Sequence, residues 1–410
     1  MPDAVVVGAG ISGAAAAFEL AARGLSVTLL DRYGPAAMAS GWTMAGVRQS
    51  GRHPAELPLA RAAVQIWATL DEQLGKPTHY RRRGNLRLAR TPGEFAVVDS
   101  IVREQAQAGL DISLLSSNAD VRAIAPAIAD SILGASYCPG DGDADPHASV
   151  EAYLDAAARL GASLRFGERV LAIEATAGRV TGVRTDRERI PAGRVVMAGG
   201  VFSNELLEPF GLGVPFDVRM VTVVRSVPTA PLLDQVISGA GGEAAGPQET
   251  NSAGRQEVTG RLRYTSGVDA WHGKLDEIPK LDESSRPRVR PAMRPAMRPS
   301  VRPAARDVAA TIARFAELVP AAADVPIEEI WGGLIDQAPD ALPVLDRAED
   351  PAGLCIAVGF SGHGFCLGPV TGRIIASLAL DEPTGFDLAP FRRDRFARWN
   401  ARAEPVSLHG

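Results

Sequence analysis

The sequence predicts an α/β fold with a second, α+β domain, and three observations support this prediction. A glycine-rich segment at 8–13 lies between a short apolar run and an alanine-rich stretch. A second glycine-rich segment, at 359–364, follows another short apolar run near the far end of the chain. Between them, a β-rich region with a different pattern opens at residue 214. With 410 residues, the chain is long enough for two domains with separate cores.

The first glycine-rich segment has the pattern of a dinucleotide-binding turn. Residues 4–7 predict a buried parallel strand, and residues 14–22 are strong helix formers. The first glycine permits a tight turn, the second lets the backbone approach a pyrophosphate, and the third lets helix and strand pack closely. The phosphates would lie at the helix N-terminus, where unpaired N–H groups favour negative charge. The predicted contacts are Gly8, Gly10, Ile11, Ser12 and Gly13.

A second strand is predicted at 25–30, and it ends at Asp31. An acidic residue roughly 20 positions after the glycines accepts hydrogen bonds from the adenosine ribose in Rossmann-type sites. Strand, helix, second strand and terminal acid together predict a Rossmann-like dinucleotide-binding domain. The open alternative is a glycine-rich turn followed by an acid that has no binding role.

Composition argues against several other classes of function. The net charge of −5 gives no reason to expect a nucleic acid or an anionic membrane as partner. No apolar run approaches the ~18 residues of a membrane span. The three cysteines are far apart and the six histidines lack metal-ligand spacing, so we expect neither a disulfide framework nor a metal site. Because the first strand begins by residue 4, we expect no signal peptide and a cytoplasmic protein.

The periodicity of apolar residues predicts the order of the remaining elements. Helices are predicted at 58–74, 94–108, 150–160, 307–318 and 369–380, with Pro369 in the first turn of the last one. Strands are predicted at 163–166, 170–174, 180–184, 194–198, 214–227, 260–265, 327–334 and 354–358. Residues 40–52 are small, polar and glycine-rich, and predict an irregular loop against the cofactor.

This order predicts two discontinuous domains. The dinucleotide-binding domain is predicted to comprise 1–85, 145–213 and 345–410, and the substrate domain 86–144 and 214–344. A low-complexity insertion at 284–304 contains Arg-Pro five times at an interval of four residues. Proline at this frequency excludes a helix, so we predict an exposed basic loop. The alternative is an arm that binds an acidic partner or crosses the active-site entrance.

Near the C-terminus, three motifs resemble those of the D-amino-acid oxidase and sarcosine oxidase superfamily. They are Trp331-Gly332-Gly333-Leu334, Pro339-Asp340-Ala341-Leu342-Pro343 and Gly359-Phe360-Ser361-Gly362-His363-Gly364-Phe365. The resemblance covers nearly the whole chain except the Arg-Pro insertion, and residues 364–372 are most similar to the flavin subunits of opine oxidase and D-hydroxyproline dehydrogenase. It implies a Rossmann-like FAD-binding domain and a mixed β-sheet substrate domain over the flavin. The further FAD contacts that it implies are Arg32, Ser40, Val170, Ala198, Gly199, Gly333, Gly359, Gly362, His363, Gly364 and Phe365.

The chain also departs from the family pattern at positions that bear on the chemistry. Monomeric sarcosine oxidase and its near relatives attach FAD to a cysteine where this chain has Gly333, so we expect non-covalent FAD. His147 resembles a position of covalent flavin attachment in heteromeric relatives and is the alternative. The family holds the substrate carboxylate with an arginine, which Arg48 matches approximately, and a lysine, whose place Cys366 takes here.

We therefore predict FAD-dependent oxidation of the CH–NH bond of an amino or imino acid by hydride transfer to flavin N5, which gives an imine. Arg48 is the predicted carboxylate ligand, and Tyr264 and Arg263 are weaker candidates. His363 is either a proton-transfer group or a packed structural histidine. Two alternatives stay open: a subunit of a heteromeric amine dehydrogenase that passes electrons to a partner, and a flavin-binding assembly subunit without turnover. Whether the protein forms a homo-oligomer also stays open.

Overall fold

The computed structural model describes residues 1–241, 252–282 and 297–398. The helices in these ranges are α1 (Ile11–Ala22), α2 (Ala39–Trp42), α3 (Leu57–Trp67), α4 (Leu70–Leu74), α5 (Pro92–Gln107), α6 (Asn118–Ile124), α7 (Pro146–Arg159), α8 (Asn204–Leu207), α9 (Ala305–Leu318) and α10 (Gly364–Ala379). The strands are β1 (Ala4–Val7), β2 (Val27–Asp31), β3 (Gly46–Val47), β4 (Asn85–Ala89), β5 (Ser113–Leu115), β6 (Gly134–Cys138), β7 (Gly142–Asp143), β8 (Ser163–Phe166), β9 (Val170–Thr176), β10 (Arg179–Thr185), β11 (Arg189–Pro191), β12 (Arg194–Met197), β13 (Asp217–Pro228), β14 (Val236–Gly239), β15 (Ser252–Gln256), β16 (Arg261–Ala270), β17 (Lys280–Asp282), β18 (Met297–Pro299), β19 (Ile327–Gln337), β20 (Val344–Arg347) and β21 (Leu354–Val358).

A six-stranded sheet forms the first layer, in the order β20-β21-β12-β1-β2-β8. Neighbouring strands are parallel except β20 and β21, which are antiparallel. Parallel strands have their carboxyl ends at one edge of the sheet, where ligands bind in such folds. The turn after β1, Asp31 at the end of β2, Ala198 after β12 and Gly359 after β21 therefore lie along the same edge.

Helices and a small sheet cover the two faces of this layer. Helices α1 and α10 pack closely because glycines stand at their contact: a Cβ at Gly372 would lie 2.7 Å from Ala15 Cβ. The antiparallel sheet β11-β10-β9 covers the other face, where Val183 and Ile173 pack in one core with Val5. Both faces of the central strands are therefore buried, which explains their unbroken apolar sequence.

An eight-stranded sheet forms the second layer, in the order β19-β13-β16-β15-β14-β4-β6-β5. It is mixed, because β14 pairs with β4 in parallel and the other neighbours are antiparallel. Helix α9 packs on one face, with Phe315 stacked on Tyr264. The α/β architecture with a mixed second sheet confirms the predicted fold class, and we propose that the two large sheets are the cores of the two predicted domains.

Two segments in the first 75 residues differ from the predicted secondary structure. Residues 40–52 contain part of α2 and also β3, which pairs with β7, so this segment is more regular than the predicted loop. The helix predicted at 58–74 is two helices, because α3 ends at Trp67 and α4 begins at Leu70.

Helix α10 begins five residues earlier than predicted, at Gly364. Pro369 therefore lies inside the helix and not in its first turn. The predicted start depended only on the preference of proline for the first turn of a helix. Burial of Phe365 and Leu367 in the core favours the earlier start. The free energy gained by this burial outweighs the loss of the one backbone hydrogen bond that proline cannot donate.

Most of the Arg-Pro insertion lies outside the described residues, since these omit 283–296. At its two ends, β17 and β18 pair in an antiparallel manner. Arg302, in the last Arg-Pro pair, donates Nη1–H to the carbonyl oxygen of Ile330 at 2.9 Å. In the described ranges, no helix is long and apolar enough to cross a bilayer.

Candidate active site

A cavity of about 410 Å³ lies between the carboxyl edge of the six-stranded sheet and one face of the eight-stranded sheet. Its volume is within the range of roughly 300–1,000 Å³ that is usual for ligand pockets. The predicted residues that line it are Gly8, Gly10, Ile11, Ser12, Asp31, Arg32, Ser40, Arg48, Val170, Ala198, Gly199, Gly333, Gly362, His363, Gly364 and Phe365. The predicted residues Gly13, Gly359 and Tyr264 lie behind its surface.

The turn after β1 requires glycine at two positions. Gly8 has a φ of +111°, and a Cβ there would lie 2.3 Å from the carbonyl oxygen of Ala198. Gly13 lies in the first turn of α1, and its Cβ would lie 2.0 Å from the carbonyl oxygen of Gly8. The N-terminus of α1 is thereby held at the cavity, where Ile11 N–H donates to the Ser40 hydroxyl at 3.0 Å. This is the geometry that the predicted pyrophosphate site requires.

Asp31 connects this turn to the end of β2. Its Oδ2 accepts from Ala9 N–H at 2.8 Å, and its Oδ1 accepts from the N–H groups of Tyr33 and Gly34, each at 2.7 Å. Burial raises the pKa of Asp31, and these hydrogen bonds oppose that rise. Asp31 thus supports the turn as well as lining the cavity, a second task that the sequence did not indicate.

The neighbouring Arg32 is oriented by contacts with the segment after β12. Its guanidinium lies 3.7 Å from the centroid of the Phe202 ring, and its Nη2 donates to Glu205 at 2.8 Å. Since Arg32 lines the cavity beside Asp31, the predicted contact with the cofactor would be made by a side chain that is already held in place.

The second glycine-rich loop is fastened to the end of β19 by Asp336. The Asp336 carboxylate accepts from Gly359 N–H at 2.7 Å, and the Asp336 carbonyl accepts from Ser361 N–H at 3.1 Å. Gly359 thus shapes the loop from behind and does not line the cavity. Burial raises the pKa of Asp336 to about 6. Asp336 was not predicted, because the strand predicted at 327–334 ends two residues before it.

Five buried charged side chains lie together at the part of the cavity formed by β3 and the segment after it. We call Arg48, Arg52, Arg87, Glu56 and Asp141 the arginine cluster, and none of them is more than 9% exposed. Arg52 Nη1 lies 3.1 Å from Glu56 Oε1, and Arg52 Nε donates to the Arg48 carbonyl at 3.2 Å. Asp141 accepts from Gln49 N–H at 2.8 Å. Three guanidiniums face two carboxylates, so the cluster has an excess of positive charge.

Within the arginine cluster, Arg48 and Arg52 line the cavity. Arg48 Nη1 donates to the carbonyl of Ser50 at 3.0 Å. Burial, together with the charges of Arg52 and Arg87, lowers the pKa of Arg48 to about 9. The positive charge at Arg48 is therefore poorly stabilised by the protein alone, and an anionic ligand in the cavity would stabilise it.

His363 is the N-cap residue of α10 and lies against the arginine cluster. Its Nδ1 lies 3.1 Å from Glu56 Oε2. Burial lowers the pKa of His363, against the opposing effect of Glu56. Burial alone would raise the pKa of Glu56, but His363 and Arg52 outweigh it and bring that pKa to about 2. Glu56 is buried completely, and it was not predicted because nothing in its local sequence distinguishes it from a helix-flanking glutamate.

The structure corrects the catalytic prediction for Tyr264. Its ring stacks on Phe315 with centroids 4.3 Å apart, on the face of β16 that turns away from the cavity. Side chains alternate along a strand, so the cavity receives Thr265 instead. Arg263 binds the segment that follows α2, because its Nη1 donates to the carbonyl of Thr43 at 2.8 Å.

His147 and Cys366 both contact neighbouring segments of the protein. His147 is at the start of α7 against Gly41, whose Cβ would lie 2.7 Å from the imidazole Cε1, and it does not line the cavity. The Cys366 thiol donates to the Arg48 carbonyl at 3.3 Å, and burial raises its pKa. Cys366 therefore supports the backbone of Arg48.

The second sheet supplies a mainly apolar part of the cavity wall, and Arg219 of β13 also lines the cavity there. Val221 and Val223 of β13, Ala253 of β15, Thr265 of β16 and Ile335 of β19 line the cavity. The strand registers align Val223 with Thr265 and Thr265 with Ala253, so these residues form one continuous surface. The sequence predicted the strands but not which of their two faces meets the cavity.

A family model described as DAO, FAD dependent oxidoreductase, matches residues 3–378 of this chain. The chain belongs to this family. It is 27% identical to the glycine oxidase of Geobacillus kaustophilus, over 96% of this chain and 97% of that protein. The crystal structure of glycine oxidase from Geobacillus kaustophilus superposes with a TM-score of 0.83 over 96% of this chain and 98% of that one, at 25% identity.

Of two other proteins that match, one is named as a subunit and the other is a longer chain. The chain is 26% identical to the sarcosine oxidase subunit beta of an Arthrobacter species, over 96% of this chain and 91% of the subunit. It is 24% identical to the mitochondrial dimethylglycine dehydrogenase of Homo sapiens, of which it spans 44%. These findings confirm the predicted superfamily, and with it FAD as cofactor and oxidoreductase action on CH–NH or CH–NH₂ groups.

The residues of this DAO-family chain fit FAD at both ends of the cavity. The turn at Gly8 is tight, since a Cβ there would meet Ala198, and Gly10 and Ile11 line the cavity where a pyrophosphate would lie. Asp31 lines the cavity at the end of β2, where an acidic residue would bind the ribose. The loop from Gly362 to Phe365 lines the other part of the cavity at the N-terminus of α10. When bound there, FAD supplies the hydride acceptor N5.

Asp31→Ala should weaken FAD binding by roughly 10- to 100-fold, since one charge-assisted hydrogen bond contributes about 1.5–3 kcal/mol. Fluorescence titration of the apoprotein measures the Kd. Asp3→Ala is the matched control: Asp3 accepts from Ser26 N–H at 2.9 Å at the opposite edge of the same sheet, away from the cavity. If both variants bind FAD like the wild type, Asp31 has no role in the site.

FAD should be released by denaturation, because Gly333 offers no nucleophile where a cysteine would form a thioether. Gly333 lines the cavity beside Trp42, to which a Cβ at this position would come within 3.4 Å. Acid precipitation should leave a colourless pellet and a yellow supernatant. A pellet that stays yellow contradicts non-covalent binding, and mass spectrometry of peptides containing His147 would then be the next measurement.

Proposed function

We propose that this enzyme oxidises the CH–NH bond of an amino or imino acid and that Arg48 binds the substrate carboxylate. The supporting observation is the excess positive charge of the arginine cluster, part of which lines the cavity. A guanidinium binds a carboxylate through two parallel hydrogen bonds, which also fix the orientation of the α-carbon. The mainly apolar part of the cavity wall would then contact the substrate side chain and exclude water from the reacting bond.

The residues of the chain bind and orient the substrate, while the cofactor supplies the redox chemistry. Arg48 holds the carboxylate and so sets the direction of the α-C–H bond. Val221, Val223 and Thr265 limit the space in the cavity. An amine must be neutral before its α-hydride leaves, so the ammonium proton has to be transferred first. Loss of the hydride then leaves a protonated imine.

Anaerobic mixing with a panel of substrates tests this function. The panel should contain primary amino acids of both configurations, N-methyl amino acids and cyclic imino acids, each beside the amine that lacks the carboxylate. We expect one class of acids to bleach the flavin absorbance and the corresponding amines to do so far more slowly. If no acid bleaches the flavin, or the amines are equally good, the proposal is wrong.

A second candidate is a subunit of a heteromeric amine dehydrogenase that passes electrons to a partner chain. The similarity to a sarcosine oxidase subunit beta over 96% of this chain supports it. Substrate-reduced protein should then reoxidise slowly in air and form little peroxide, but rapidly with an artificial electron acceptor. Fast reoxidation with one peroxide for each substrate favours an oxidase that acts alone. Cytoplasmic location and a homo-oligomeric state stay predictions.

A further inference from the structure

The proposed function needs a group that takes a proton from the substrate. His363 lies at the cavity, and a hydrogen bond to Glu56 fixes the orientation of its ring. His363 lines the cavity and is 9% exposed. Its Nδ1 lies 3.1 Å from Glu56 Oε2, whereas its Nε2 is buried and has no hydrogen-bond partner among the described atoms. A buried ring nitrogen without a hydrogen-bond partner destabilises the folded protein unless a bound ligand supplies the missing hydrogen bond.

Glu56 determines which nitrogen of His363 carries the hydrogen. The charge of Arg52 lowers the pKa of Glu56 and keeps it a carboxylate, which only accepts hydrogen bonds. Nδ1 must therefore be the protonated nitrogen, and Nε2 of the neutral ring has a free lone pair. Arg52 fixes Glu56 in turn, because its Nη1 binds the other carboxylate oxygen at 3.1 Å. The order Arg52–Glu56–His363 thus orients Nε2 as an acceptor.

We propose that Glu56 is a positioning residue for His363 and that Nε2 of His363 accepts the proton of the substrate ammonium group. This inference rests on the proposed function. In this step a substrate N–H bond breaks, its electron pair stays on the nitrogen, and the proton forms an N–H bond at Nε2. The amine is then neutral, and the α-hydride can leave to the flavin.

The charges around His363 suit a base that starts neutral. Glu56 stabilises the imidazolium, whereas Arg52 and Arg48 destabilise it. Arg87 and Asp141 of the arginine cluster act on the pKa of Arg48, which Arg87 lowers and Asp141 raises. Burial and the arginines keep the ring unprotonated before substrate binds, and Glu56 compensates the charge that arrives with the proton.

Glu56→Gln tests the positioning role, with Glu94→Gln as the matched control. Glu94 is equally buried and also pairs with an arginine four residues away, Arg90, but its carboxylate binds Arg90 and not a histidine. We expect the limiting rate of flavin reduction in the wild type to fall at acid pH as His363 becomes protonated. In Glu56→Gln the acid limb should move to lower pH by about one unit or more, because the stabilising anion is lost. The plateau should fall about tenfold, since the ring is a weaker base. Glu94→Gln should keep the wild-type profile.

Nitrogen-15 NMR of histidine-labelled protein with FAD bound gives a readout that does not depend on turnover. The wild type and Glu94→Gln should show a protonated Nδ1 and a bare Nε2 for His363, a signal assigned by its loss in His363→Asn. Glu56→Gln should show a mixture of tautomers or the reverse one. A wild-type tautomer and pH profile in Glu56→Gln would overturn the positioning role.

His363→Asn tests the base itself and does not depend on the folding of the Glu56 variant. Asparagine can still donate to Glu56 but cannot accept the substrate proton. In protein saturated with FAD, flavin reduction should slow at least tenfold and lose the acid limb. An unchanged pH profile would refute the proton transfer. If no acid reduces the wild-type flavin, the proposed function fails, and the NMR comparison alone still decides whether Glu56 positions His363.

Discussion

Arg48→Ala should lower kcat/KM for an amino or imino acid by about two orders of magnitude and leave the FAD content unchanged. Arg48 lines the cavity, and its charge is poorly stabilised there, since burial and two neighbouring guanidiniums lower its pKa to about 9. A substrate carboxylate would supply the missing counter-charge. The loss should therefore depend on the carboxylate, and steady-state kinetics with an amino acid and its decarboxylated amine measure that dependence.

Arg48→Lys separates the charge of Arg48 from its shape. Lysine keeps the positive charge but cannot donate two parallel hydrogen bonds, so we expect most of the loss to remain. Arg263→Lys is the matched control, because Arg263 of β16 is also a buried guanidinium but does not line the cavity. It should preserve the preference for the acid. An equal loss of rate on acid and amine in Arg48→Ala would mean that Arg48 only supports the loop after β3.

The sequence predicted the parts of the fold that depend on local chemistry. Three such features are the glycine turn at Gly8, the acid at the end of β2 and the small residues after β21. Each depends on steric and electrostatic interactions among a few neighbouring residues. The carboxyl edge where they meet follows from parallel pairing. The start of α10 could not be predicted in this way, because burial of Phe365, a tertiary effect, outweighed the preference of Pro369 for a first turn.

The catalytic side of the site depended on contacts between distant segments. Tyr264 was assigned to the wrong face because a strand of unknown register can turn either set of side chains to the cavity. Glu56 meets His363 across 307 positions, and Asp336 meets the loop at Gly359 across 23. No spacing rule links such pairs. Arg48 was found only through the resemblance, and the structure adds the surrounding charges that give it a physical reason.

Gly13→Ala should raise the Kd for FAD roughly 10- to 100-fold and leave the purified protein largely without flavin. A Cβ at this position would lie 2.0 Å from the Gly8 carbonyl oxygen and 3.0 Å from its carbon. These are backbone atoms, so the contact is relieved only if α1 moves away from β1. Overpacking of this kind costs typically 1–3 kcal/mol, which corresponds to about this loss of affinity if the displaced turn no longer fits the phosphates.

Gly193→Ala is the matched control for this prediction. Gly193 precedes β12 of the same sheet, and a Cβ there would have no atom within 4 Å. It should bind FAD with the wild-type Kd and unfold at the wild-type Tm, whereas Gly13→Ala should be destabilised even when apoproteins are compared. That difference would locate the effect in the close contact between α1 and β1. If Gly13→Ala retains full flavin and an unchanged Kd, the turn tolerates a shift of α1, and the pyrophosphate must be held chiefly by groups outside the glycine segment.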